Sequence, residues 1–461
     1  MKRILLFGLL AASFALVRDV DRVWADVTQS FSGSKDDGPQ IPVTDALQGD
    51  AKVSELLGHA KHLIAGGDAV AARKLLAELD ANPNVADVDV LIADLMFNLG
   101  QSEQGQRWLE QASVDEPERL AIYLAFIEQA VQQRRWFDGA VLVQSAEHID
   151  PPAHWSDDLQ QRVGRRVLLL KAICAEGRTD WTQARQTYDA LLQSVPAGSH
   201  EIAKEVSLGL ARSCFQLKDY QAALDVLKTL AIQDHSLLHP QQYLAQWYEQ
   251  NDMIHEADQA YRNGIEGSRP AQRGAARLGY ARFLLYRNRL DDALPLLQIP
   301  IDPSEAPKAG FAEPDRLFLQ AVLARLDNRL ADAQAILSKL HQSQPESITV
   351  AIHLAAVLVE HDDEVLRGRA LQIAESTVRN ASSSADAWAT LAWVQFRLGD
   401  WVAADSSLAR SLKLGNPSKD TLHFMSQLKR STGHFKDADS LDRLYQSAKG
   451  PSFFGPARPL K

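Results

Sequence analysis

One small residue returns along this chain at a spacing too regular for coincidence and too long for one helix. Ala72, Gly105, Ala140, Ala184, Ala223, Ala257, Ala293, Ala333, Ala370, Ala404 and Ala438 follow one another at intervals of 33 to 44 residues. Twelve positions earlier a second series reads Ala60, Ala93, Ala172, Ala211, Ala245, Ala281, Ala321 and Ala392, with Ser426 as a ninth small residue. The first series sets the register, so only the second tests it. Alanine is 64 of 461 residues, which by chance puts one or two in eleven positions; eight are present. Glu128 and Leu358 break the pattern.

The stretch Ala385–Pro417 shows the repeating tile most fully. Apolar residues recur at helical spacing on either side of Gly399-Asp400, and Pro417 closes the second run. Small residues at the two recurring positions let a first and a second helix cross closely, and larger ones nearby, such as Leu408 beside Ala404, fill the gaps. Proline cannot continue a helix interior, so Pro83, Pro117, Pro152, Pro196, Pro345 and Pro417 end the second helices. A single pair leaves one apolar face uncovered. Only the next pair covers it, so the pairs must stack.

The tile resembles the tetratricopeptide repeat, on Trp388, Leu391, Ala392, Gly399, Ala404 and Leu408. Gln395 departs from the tyrosine usual in that family. The expected fold is an all-α superhelical solenoid of about 11 tetratricopeptide-like helix-turn-helix repeats, covering roughly residues 53–446. The first part of the array is expected over 53–298 and the second over 314–446. Between them the Pro-rich segment 299–313 reads as a hinge or a loop insertion. Residues 447–461 form a C-terminal tail with three prolines and two adjacent phenylalanines, read either as a docking tail or as a loosely packed terminus.

The N-terminus has a different character. Lys2 and Arg3 precede an apolar run, Ile4 to Val17, that Arg18 and Asp19 stop. Fourteen residues fall short of the ~20 that span a bilayer. Residues 1–25 are therefore read as a signal peptide, cut after Ala15 or Ala25, or as a short membrane anchor if uncut. Residues 26–50, polar and rich in Gly, Ser and Pro, read as a flexible spacer. The expected location is the periplasm or cell envelope, with an inner-membrane-anchored or cytoplasmic protein as the alternative.

Several function classes find no support. The net charge is −10 and no basic block stands out, so nucleic acid is not expected as a partner. Cys174 and Cys214 belong to no CxxC or Cys/His cluster, and His235 with His239 lacks a third ligand, so no metal or other cofactor is expected. Phosphate-cradling and nucleophile-elbow motifs are missing. The repeats use the chain from 53 to 446 and leave no room for a catalytic domain, so no enzyme is expected. The carboxylate clamp of tetratricopeptide co-chaperones is missing too, because nine of eleven residues at the fifth repeat position are apolar and none is lysine.

What remains is a partner-binding concave face on the first helices. Its candidates are Arg212, Gln246, Glu249, Arg282, Tyr286, Arg325, Trp393, Phe396 and Arg397. Arginine and aromatic side chains are common interface anchors. Arg212 and Arg282 are expected to be exposed, and the tryptophans within the array to sit in the core. The expected function is a non-enzymatic scaffold holding a protein or peptide. The resemblance implies envelope assembly, secretion or polysaccharide export as its setting; the alternative is a cytoplasmic adaptor or a regulatory subunit of an enzyme complex.

Overall fold

A computed structural model describes residues 51–196, 199–301, 313–451 and 453. The expected signal or anchor, the spacer, positions 302–312 of the Pro-rich segment and the last eight residues lie outside the described residues.

The described residues hold 22 α-helices and no strand. The first ten are α1 Ala51–Ala65, α2 Ala69–Leu76, α3 Val88–Asn98, α4 Ser102–Asp115, α5 Leu120–Gln132, α6 Trp136–Ala146, α7 Asp157–Gly177, α8 Trp181–Ser194, α9 His200–Gln216 and α10 Tyr220–Gln233. Twelve more follow: α11 Pro240–Gln250, α12 Ile254–Gly267, α13 Pro270–Tyr286, α14 Leu290–Gln298, α15 Glu313–Leu326, α16 Leu330–Ser343, α17 Ile348–Leu358, α18 Glu364–Asn380, α19 Ala385–Arg397, α20 Trp401–Leu414, α21 Lys419–Ser431 and α22 Phe435–Ser447. They form eleven pairs. Two compact units divide at Pro240–Gln241: an N-terminal unit with α1–α10 and a C-terminal unit with α11–α22. Within each unit a first helix packs on its own second helix, and first helices pack on the next first helix. Of the segment 299–313, the described residues 299–301 and 313 belong to the C-terminal unit.

The turns explain how each pair reverses. In ten of eleven, three residues join the helices. The second of these is left-handed: Gly67, Gly100, Arg134, Thr179, Lys218, Asp252, Asn288, Asn328, Gly399 and Gly433 all have positive φ. At Gly399 (φ +87°) the backbone closes a Schellman-type cap. Gly399 N–H donates to Phe396 O at 3.0 Å and Asp400 N–H to Gln395 O at 3.0 Å. Asp400 then caps the next helix by accepting from Ala403 N–H at 3.0 Å.

Ten of the eleven small residues in the second helices are buried, and so are all nine in the first helices. The two breaks in the pattern differ: a one-residue shift in the third pair still leaves the large Ile127 at the first-helix position, whereas the ninth pair has a longer turn. In the third pair Gly139 is buried at the crossing and Ala140 only half-buried, so the register there is one residue earlier than expected. In the ninth pair the turn runs over five residues, 359–363. Ala356, fourteen positions before Ala370 and two before Leu358, is a buried small residue of that helix. The tryptophans only partly follow expectation. Trp155 and Trp393 are buried, but Trp401, on the first turn of α20, is 49% exposed. Cys174 and Cys214 are buried free thiols, the Cys174 thiol pushed up to about 11 by burial.

Candidate functional site

The first helices carry carboxylates and arginines that meet between neighbouring pairs. In the N-terminal unit, Arg166 Nε donates to Glu128 Oε1 at 2.7 Å, and Arg212 Nε to Glu176 Oε1 at 3.0 Å. Tyr188, on the second helix of the same pair as Glu176, donates its hydroxyl to Oε2 at 3.1 Å. Burial raises the Glu176 pKa, and Arg212 partly offsets that. Nearby, burial followed by repulsion from Glu128 lifts Asp94 to about 7.

The C-terminal unit repeats the triad. Tyr261 donates to Glu249 Oε2 at 2.8 Å, and Arg282 Nη2 lies 4.0 Å from the same oxygen. Three pairs further on, Glu360 is the shared acceptor. It accepts from Trp393 Nε1 at 2.7 Å and pairs with Arg397 at 3.2 Å. Trp393 also stacks on Phe424 (ring centroids 4.6 Å apart) and on Phe396 (5.4 Å), and the Arg397 guanidinium lies over its ring at 5.7 Å.

Beside this cluster is a cavity of about 330 Å³, lined by Arg325, Glu360, Trp393, Phe396, Arg397 and Phe453 among others. Arg325 sits at its edge with only 6% of its side chain exposed. Burial lowers its pKa. It lies 3.7 Å from Asp420, whose carboxyl burial lifts to about 6. Burial, then the Arg325 charge, holds His353 well below its usual range. The imidazole is therefore neutral, and its Nδ1, 3.1 Å from Arg325 Nη1, is positioned to accept.

The expected site residues thus separate. Arg325, Trp393, Phe396 and Arg397 share one cavity. Glu249 and Arg282 form the ion pair described above, and Gln246 is half-buried on α11. Tyr286 carries the Arg287 guanidinium over its ring at 5.1 Å. Arg212 belongs to the N-terminal unit. The expected exposure holds for Arg212, at 45%, and fails for Arg282, at 15%, because Arg282 turns back toward Glu249.

Sequence reasoning missed Glu360, His353, Asp420 and Phe453. Glu360 sits in the one five-residue turn, and Phe453 in the tail, so neither falls at a repeat position. Among the described residues no His/Cys/Asp/Glu group is arranged to hold a metal, and no helix is long and apolar enough to cross a membrane.

No family model matches the chain, and no curated protein does. Solved structures do. A tetratricopeptide repeat protein from Parabacteroides merdae is 12% identical, over 58% of this chain and 99% of that one, at a TM-score of 0.39. PilW, a type IV pilus biogenesis factor, is 16% identical over 45% and 91%, at 0.35. The Cut9–Hcn1 hetero-tetramer structure matches at 14% identity over 85% and 79%, at 0.37. Three-residue left-handed turns, buried small residues at both crossing positions and helix pairs stacked within each unit give this chain the fold of a tetratricopeptide-type repeat.

Proposed function

We propose that the chain is a non-enzymatic scaffold that holds an extended segment of a partner protein against the first helices of its C-terminal unit. One observation carries this reading. The cavity beside Arg325 is bounded by an aromatic stack and by two guanidiniums, the combination that recurs in energetic centres of protein interfaces. Its carboxylates are already engaged by arginine or indole, so the site suits binding more than proton transfer. The setting we infer is a bacterial cell envelope. Lys2-Arg3 followed by a short apolar run supports export, with assembly, secretion or polysaccharide export as the task served.

The binding reading is tested with the full chain immobilised beside its Phe396→Ala/Arg397→Ala variant. Partners recovered by wild type should drop away from the variant while its melting temperature stays within a few degrees. Equal recovery rejects this face. Residues 1–50 fused to a compartment-sensitive reporter test the setting; retention in the cytoplasm rejects export and favours the adaptor reading.

A further inference from the structure

The proposed groove already holds something: the chain's own tail. After α22 the backbone crosses back over the C-terminal unit. Lys419 Nζ, at the start of α21, donates to Ala448 O at 3.0 Å and to Gly450 O at 3.5 Å. The Lys449 ammonium pairs with Asp252, in the turn after α11. Gly450, with φ +111°, lies beside Tyr286, where an added Cβ would make an ordinary van der Waals contact with the ring at 3.6 Å. Phe453 then reaches the cavity. Its ring takes the Arg325 guanidinium on its face at 4.1 Å and His353 edge-on at 5.5 Å between centroids.

Three features separate this from a terminus resting by chance. Its contacts are of three different kinds and fall on five separate pairs of the unit, at Asp252, Tyr286, Arg325, His353 and Lys419. Each tail group meets its chemical complement: ammonium to carboxylate, carbonyls to ammonium, aromatic face to guanidinium. Finally, Phe453 covers a guanidinium that is otherwise surrounded by protein and has Asp420 as its partner at 3.7 Å. Shielding from water strengthens a cation–aromatic contact.

We propose that this groove is a receptor for an extended segment carrying a basic residue and, four positions on, an aromatic one, and that Lys449–Phe453 occupies it as an intramolecular competitor. The proposal rests on the scaffold reading for the existence of an outside partner, though not for the docking of the tail. A tethered segment acts at an effective concentration on the order of millimolar. An outside segment of similar chemistry must therefore bind better than the tail or arrive where the tail has been drawn off.

The test uses the full chain and a fluorescent capped peptide with the sequence of residues 446–453. Peptide affinity is measured for wild type, for Phe453→Ala and for Lys449→Ala. Both variants should bind the peptide at least about tenfold more tightly than wild type, because each weakens the internal competitor. A peptide with alanine in place of its phenylalanine should lose that binding. Two results overturn the proposal: equal peptide affinity for wild type and both variants, or undiminished binding of the alanine peptide. If Phe453→Ala alone fails to fold, Lys449→Ala, whose change is at the surface, decides. The scaffold reading fails separately, when no protein partner is recovered even by Phe453→Ala; the peptide result stands whichever way that falls.

Discussion

The N-terminal and C-terminal units build the same Tyr-Glu-Arg triad and leave it in different surroundings. In Tyr188–Glu176–Arg212 the arginine stands 45% exposed; in Tyr261–Glu249–Arg282 it is 15% exposed. The shared part follows from the tile. A carboxylate on one first helix and an arginine on the next lie at neighbouring heights when pairs stack at a regular offset. What differs between the units is what else lies on the first helices. The C-terminal unit adds an aromatic cluster around Trp393, with the Arg397 guanidinium over that ring, and Phe453 of the returning tail lies on Arg325. A repeat fixes where charges meet, and its surroundings decide how much each meeting is worth.

The largest effect that probes this contrast is at Arg325. Taking away one partner of a buried pair leaves the other charge uncompensated, which costs about 3–5 kcal/mol. Arg325→Ala strands Asp420 in that way. Arg212→Ala removes a half-exposed arginine and leaves Glu176 with its hydrogen bond from Tyr188, so the loss should be smaller, about 1 kcal/mol. Urea unfolding monitored by circular dichroism should show a clear loss for the first and a small one for the second. Equal losses would mean that the two surroundings are energetically alike and that the comparison is wrong.

A smaller effect probes the register. Gly139 is buried where an added Cβ would come within 2.7 Å of Cys174 Sγ, whereas Ala140 is half-buried. Gly139→Leu should therefore overpack the crossing and cost about 1–3 kcal/mol, as Ala404→Leu should in the C-terminal unit. Ala140→Leu should stay within about 0.5 kcal/mol. If Ala140→Leu is the damaging change, the third pair keeps the register of the other repeats and the shift to Gly139 is refuted.

These cases also mark how far the fold and site are legible in sequence. The crossing positions are legible because close approach of two helices excludes large side chains, and that leaves alanine or glycine at fixed intervals. Ala140 misleads because its neighbour is also small, so composition cannot choose between them. Leu358 misleads because the turn after its helix is two residues longer than the others, and nothing in the local sequence marks that. The site is less legible. Arg325, Trp393 and Arg397 stand at repeat positions and can be picked out by residue type. Their partners Asp420 and Glu360 lie 95 and 33–37 residues away. Phe453 returns from beyond the last repeat, where periodicity has nothing to say. Burial of Arg282 likewise depends on its partner across the stack and on no local pattern.

The smallest effect lies in the turns, where the units differ in the residues placed at positive φ. In the C-terminal unit these are Asp252, Asn288, Asn328, Gly399 and Gly433; in the N-terminal unit they include Arg134, Thr179 and Lys218. Glycine adopts the left-handed region freely, and Asn or Asp tolerates it through local hydrogen bonding. For other residues it costs about 1–2 kcal/mol, and a β-branched side chain is the worst placed. Thr179, at φ +61°, is the extreme case. Part of the relief from Thr179→Gly is lost to the greater freedom of glycine in the unfolded chain, so the net gain should be about 0.5–1 kcal/mol. Asn328→Gly, at nearly the same φ of +58°, should change stability by only a few tenths of that scale. Melting temperatures of the two variants give the comparison directly. A larger gain at Asn328 than at Thr179 would show that the turn strain sits in the C-terminal unit and not in the N-terminal one.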